Sequence, residues 1–182
     1  MRMFTLEVEG RRYAAQGVRD ADIKDPEALL QEVKQISNTP IVLVDADLVA
    51  GRRHIELLLK QAYEASRRGL TYAKQPEIDL LARVACENQL KKAVEKAGLK
   101  PRRMNIVALS LGEGSFPAKL LKILESLGTL DDNVIELTSE KSANLLSQHA
   151  LAQTQASTLI DGDPLPYLLA EKSALLACEA KP

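Results

Sequence analysis

The sequence predicts one α+β domain, on three observations. Short alternating or apolar runs suited to strands are interspersed with longer runs of helical periodicity. The helical runs start and stop at recognisable caps, and no internal repeat or linker divides the 182 residues.

The elements follow in order. Phe4, Leu6 and Val8 alternate with polar neighbours, so residues 3–9 and 12–18 read as two strands about Glu9-Gly10-Arg11. Asp25-Pro26 opens a helix with the stripe Leu29, Leu30, Val33 and Ile36, and Thr39-Pro40 ends it. Ile41 to Val44 is a buried strand. A helix over about 47–67 follows, capped by Asp47, with Ile55, Leu58, Leu59 and Ala62 on one face and Gly51 in its early turns. Gly69 closes it behind Arg67 and Arg68. From Pro76 the stripe is Ile78, Leu81, Ala82 and Ala85; a second runs through Leu90, Val94 and Ala97. The step from Ala85 to Leu90 turns a helix by ~500°, about 140° off the stripe, so a break belongs at Cys86-Glu87-Asn88. Asn105–Leu111 is a strand, Gly112-Glu113-Gly114-Ser115 turns into a helix ended by Gly128, and Asn133–Leu137 is the last strand. Thr138 or Ser139 caps a short helix, 148–160 continues as helix or loop, and Asp163-Pro164 starts a terminal helix.

Composition narrows the class. Apolar residues make up 46% and charged residues 27%, as in globular proteins. No apolar run reaches the ~20 residues of a membrane span, and the N-terminus does not read as a secretory signal. Cys86 and Cys178 are too few for a disulfide framework and lack metal-ligand spacing, so the expectation is cytoplasmic, with free thiols and no membrane contact. The net charge of −1 hides an asymmetry: residues 50–103 hold 13 Lys/Arg against 6 Asp/Glu, and both flanks are acidic. Either an acidic partner such as nucleic acid meets the middle third, or folding brings the acids of the flanks to it.

Several residue groups are candidates for chemistry. Asp45, Asp47 and His54 have metal-ligand types, but capping and an ordinary histidine explain them as well. Gly112-Glu113-Gly114-Ser115 lacks the lysine and the third glycine of phosphate loops. Arg83, Lys91 and Lys92 near Cys86 would lower its pKa, although a small core residue is the plainer reading. No nucleophile–base set stands in a recognisable context, so no enzyme and no cofactor are expected. The helix start near Asn88 is the better candidate. Its free N–H groups can hold a phosphate, Arg83 precedes it, Lys91 and Lys92 follow, and Lys96, Lys100, Arg102 and Arg103 extend the field. Tyr63 and Tyr72 are the stacking surfaces on offer.

Four passages stand in a distinctive order: IVLVDADLVAGRRHIELLLKQAYEASRRG, EIDLLARVACENQLKKAVEKAGLK, DDNVIELTSEKSANLL and DPLPYLLAEKSALLA. Together they resemble the small kinase-binding subunit of the KEOPS complex, the relatives of the PRPK-binding protein, over about residues 17–176. The resemblance implies a small, mostly antiparallel sheet of 4–5 strands packed with about 6–8 helices. It implies a non-enzymatic subunit that binds the complex's small atypical kinase and holds the single-stranded 3′ CCA end of tRNA, while another subunit forms the threonylcarbamoyl adenosine. The family's Gly-Gln-Arg-Gln-Ile type stretch aligns with Cys86-Glu87-Asn88-Gln89-Leu90; Gln89 and Leu90 match, whereas Cys86 and Asn88 replace Gly and Arg. The implied RNA set is Arg83, Asn88, Gln89, Leu90, Lys91 and Lys92, with the two lysines offsetting the lost arginine. For the kinase, the terminal helix offers Tyr167, Leu168, Glu171 and Leu175, unless its leucines only close the domain's own core. Two alternatives stay open: a metal-dependent enzyme using Asp45, Asp47 and His54, and a kinase activator without RNA binding.

Overall fold

The computed structural model describes residues 4–151 and 163–179. The described residues contain an antiparallel sheet of five strands and seven helices, an α+β fold as predicted. The sheet runs β1 (Phe4–Val8), β2 (Arg11–Asp22), β4 (Arg103–Glu113), β3 (Ile41–Asp45), and a short β5 (Thr129–Leu130) pairs β2 beyond the end of β1. β2 is longer than the sequence suggested because it pairs on both sides and absorbs two register shifts against β4. At the second, Asp20 takes a left-handed conformation and its N–H is held by Asn105 Oδ1 at 3.0 Å.

Both faces of the sheet are covered. On one side Val42, Val44, Val107 and Leu109 meet α2 (Gly51–Arg68), α3 (Pro76–Ala85), α4 (Leu90–Ala97) and α7 (Leu165–Glu179). On the other, Ile41, Leu43, Ile106 and Ala108 meet α1 (Pro26–Ile36) and α5 (Ala118–Leu127). This is why β3 reads as a continuous apolar run, which is otherwise the mark of parallel strands: it has no solvent face. The Asp25 cap with Pro26 after it, the Gly69 left-handed cap of α2 and the Thr138 cap of α6 (Ser139–Gln148) all form as expected.

Two expectations are corrected. Residues 133–137 are not a strand; Asp132–Ile135 form a 3-10 turn. The Asp131 carboxylate accepts from Asn133 N at 2.9 Å and pairs with Arg19, while Asp132 Oδ1 accepts from Gly17 N at 3.0 Å. A Cβ on Gly17 would lie 2.4 Å from the Asp131 carbonyl, so glycine is what lets this turn press onto β2. The second correction concerns the start of α2. Asp47 does not cap it. Asp45 accepts from Asp47 N within a separate 3-10 turn, Ala46–Leu48, and α2 begins only at Gly51, whose φ of +81° breaks any continuous helix. Gly51 serves backbone conformation rather than close packing, since a Cβ there would make only ordinary contact with Leu137. The expected segment 148–160 falls mostly outside the described residues.

Candidate nucleic-acid interface

The α3–α4 junction forms where the change of phase predicted it. Cys86 ends α3 with a φ of +47°, and its N–H and that of Glu87 bond back to carbonyls of the last turn of α3. The left-handed step turns the chain so that α4 begins afresh at Leu90, with Gln89 as its N-cap. Gln89 makes no side-chain cap bond, so the first turn of α4 offers N–H groups at its positive end.

The six expected RNA residues divide into two groups. Gln89, Lys91 and Lys92 are exposed, and Asn88 and Leu90 half-buried, around this helix start. Neither Lys91 nor Lys92 enters an ion pair among the described residues. Arg83 is different. It is 3% exposed, its Nε is 2.8 Å from Asp79 Oδ2, and the Tyr72 ring covers its guanidinium at 4.6 Å. Arg83 is therefore a structural cation and leaves the phosphate-facing set. The Asp79–Arg83 spacing of four along one helix was the signal for this in the sequence. Tyr72 is also committed, with its hydroxyl on the Ser173 carbonyl at 2.8 Å; Tyr63 lies against Arg11 and Arg67.

The rest of the basic field is largely neutralised or spent on packing. Lys100 Nζ sits 2.9 Å from Asp45 Oδ2, and Arg102 reaches the same carboxylate at 4.0 Å. Lys96 donates to the Ala85 carbonyl, and its partial burial lowers its pKa. On α2, Arg52 pairs with Glu136, Arg53 with Glu56, Lys60 with Glu9, and Arg67 and Arg68 with Glu64. Folding thus brings acids of both flanks to the basic middle third, and what stays uncompensated among the described residues lies mainly at Lys74, Lys91, Lys92 and Arg103. One residue works against an anion at the junction: Glu87 Oε1 already accepts from Gln89 N at 3.0 Å.

Asp45, Asp47 and His54 do not form a metal site; among the described residues no three His, Cys, Asp or Glu side chains could hold one. Asp45 is engaged by Lys100. His54 is fully buried, and its Nδ1 accepts from Ala50 N at 3.1 Å, so it reaches back to the N-cap of α2 in the manner of a capping box. This bond puts the ring proton on Nε2, which has no partner among the described residues, and the same holds for the buried Nε2 of His149. Burial, with His149 nearby, lowers the His54 pKa to about 3; burial with Lys96 and Lys172 lowers that of His149 to about 4. Cys86 donates to the Leu169 carbonyl at 3.4 Å, and burial raises its pKa to about 11 rather than lowering it.

On α7, Leu165, Leu169, Ser173 and Leu176 face the core. The opposite stripe carries Tyr167 and Leu168, both half-buried, with Glu171 exposed and Leu175 53% exposed. The helix closes the core with one face and presents the kinase candidates on the other. Tyr167 is held by Arg53, whose Nε donates to its hydroxyl at 3.1 Å. No protein-family model matches the chain, and no curated protein matches it. No helix among the described residues is long and apolar enough to cross a membrane.

Proposed function

We propose that this protein is a non-catalytic subunit of a KEOPS-type tRNA-modifying assembly, binding the 3′ CCA end of tRNA and the assembly's small atypical kinase. The reading rests on the ordered sequence resemblance. The observation that carries the RNA half is the pair Lys91 and Lys92, exposed and without ion pairs among the described residues, at the first turn of α4 beside Asn88 and Gln89. Such a helix start suits a phosphate, and two mobile ammonium groups add affinity without sequence choice. Leu90 stands half-buried at the same turn, an apolar surface beside the charges. For the kinase half, the support is the outward stripe of α7, above all the exposed Leu175.

The test is binding of tRNA with and without its CCA end, at several salt concentrations. Lys91→Glu with Lys92→Glu is expected to weaken intact tRNA and to reduce the salt slope by about 1–2. CCA-independent binding, or unchanged affinity in this variant, refutes the RNA half. For the kinase half, Leu175→Glu with Glu171→Lys should abolish co-elution with the kinase at an unchanged melting temperature; retained co-elution refutes it.

A further inference from the structure

We propose that Glu87 makes the α3–α4 junction a reader of bases that carry an exocyclic amino group, cytosine and adenine, so that it selects the CCA end over other single-stranded ends. Resting on the tRNA reading above, this role adds base choice to a site whose lysines supply none.

Hydrogen-bond chemistry narrows the choice to one side chain. Lys91 and Lys92 are donors only, and each suits a phosphate whatever base follows it. Asn88 and Gln89 end in amides, which offer a donor and an acceptor and so pair with an amino group or a carbonyl alike. Leu90 offers only an apolar surface. Of the side chains at the junction, the Glu87 carboxylate is the one that accepts and cannot donate. It attracts an amino group and repels the carbonyl oxygen that uracil or hypoxanthine carries at the same edge.

The geometry holds this carboxylate ready. Glu87 follows the left-handed Cys86, and its own N–H is tied to the Ala82 carbonyl at 3.0 Å, so its backbone is fixed to the end of α3. Its Oε1 accepts from Gln89 N at 3.0 Å, which orients the carboxylate over the turn. Its Oε2 takes no hydrogen bond, and the half-buried side chain enters no ion pair among the described residues. Lys96 lies within electrostatic reach of it, but its ammonium group donates to the Ala85 carbonyl at 2.9 Å. A half-buried carboxylate oxygen without a partner favours a donor. The junction is therefore divided by charge. The acceptor stands at Glu87, and the lysines with the orphan N–H groups of the first turn of α4 stand just beyond it. A nucleotide of cytosine or adenine carries the complementary pair, an amino group on the base and a negative phosphate. Glu87 weakens the site for a phosphate alone, and a base amino group offsets that loss.

The probes are three synthetic, fluorescein-labelled acceptor-stem hairpins, titrated by fluorescence anisotropy against the full chain at one salt concentration. One ends in CCA. The second ends in uridine-uridine-inosine, which replaces every exocyclic amino group of the end by a carbonyl oxygen. The third has no overhang. The CCA hairpin should bind at least about fivefold more tightly than the uridine-uridine-inosine one. Glu87→Gln keeps an acceptor for Gln89 N but presents a donor as readily as an acceptor, so the preference should fall below about twofold at an unchanged melting temperature. Equal binding of the two overhangs by the natural chain overturns the proposal, and so does a preference that survives Glu87→Gln. If the two overhangs bind equally but the hairpin without one binds weakly, the tRNA reading stands and only the role of Glu87 falls. If all three hairpins bind equally, both fall.

Discussion

The buried imidazoles of His54 and His149 make the fold acid-sensitive, and the size of the effect can be worked out. An unfolded histidine titrates near 6.5, whereas the folded values are about 3 and about 4. A base whose folded pKa is depressed stabilises the fold fully above the unfolded pKa and loses that contribution as pH falls toward the folded pKa. At pH 5 the unfolded chain carries both protons and the folded chain almost none. Each histidine then costs about 2 kcal/mol relative to pH 7.5, and the pair about 4 kcal/mol. The local slope is ~2.7 kcal/mol per pH unit, from two protons bound on unfolding. Against a typical total of ~5–15 kcal/mol this is large, and it should lower the melting temperature by roughly 8–16 °C. The assay is urea or thermal unfolding at pH 7.5, 6.5, 5.5 and 5.0 (values chosen to bracket ~6.5). His54→Asn keeps an acceptor for the Ala50 N–H and removes the titration, and His149→Gln removes the other. Each should take away about half the slope, whatever it does to stability at neutral pH. Stability flat from pH 7 to 5, or a slope untouched in the double variant, would refute the reasoning.

Other outcomes follow from particular contacts. Arg83→Met leaves the Asp79 carboxylate buried without its cation and should cost about 3–5 kcal/mol in urea unfolding; adding Asp79→Leu should recover much of the loss. Gly17→Ala drives a methyl group against the Asp131 carbonyl and should destabilise by about 1–3 kcal/mol, seen as a lower urea midpoint. In a Cys178→Ser background, Cys86 should react with a disulfide reagent at pH 8 at least ~10-fold more slowly than a free thiol of pKa ~8.5, since its far smaller thiolate fraction outweighs the greater nucleophilicity of a high-pKa thiolate.

Much of the fold was legible because local chemistry and tertiary demand agree. Asp25-Pro26, Gly69 and Thr138 sit where caps are needed, and the change of phase after Ala85 could be met only by a break, which Cys86 supplies. The start of α2 was misread because Asp47 is a good cap by type while the cap function there falls to His54, four residues beyond the amide it holds. No rule of N-capping by short polar residues anticipates that. Residues 133–137 were misread because two adjacent apolar residues suit a strand and a buried turn equally, and the contact with Gly17 that decides it is remote in sequence. At the candidate site, the exposed lysines were visible as charge. The removal of Arg83 turns on Tyr72 and on burial, which a count of charges does not register.

The double-sided sheet has one more consequence. Along β4, Ile106 and Ala108 belong to the hydrophobic cluster under α1 and α5, and Val107 and Leu109 to the one under α2, α3, α4 and α7. The two clusters share a wall one peptide thick. Neither can loosen its packing on β4 without disturbing the pleat on which the other rests. The layers are therefore bound into one cooperative unit, expected to melt in a single calorimetric transition whose van't Hoff and calorimetric enthalpies agree.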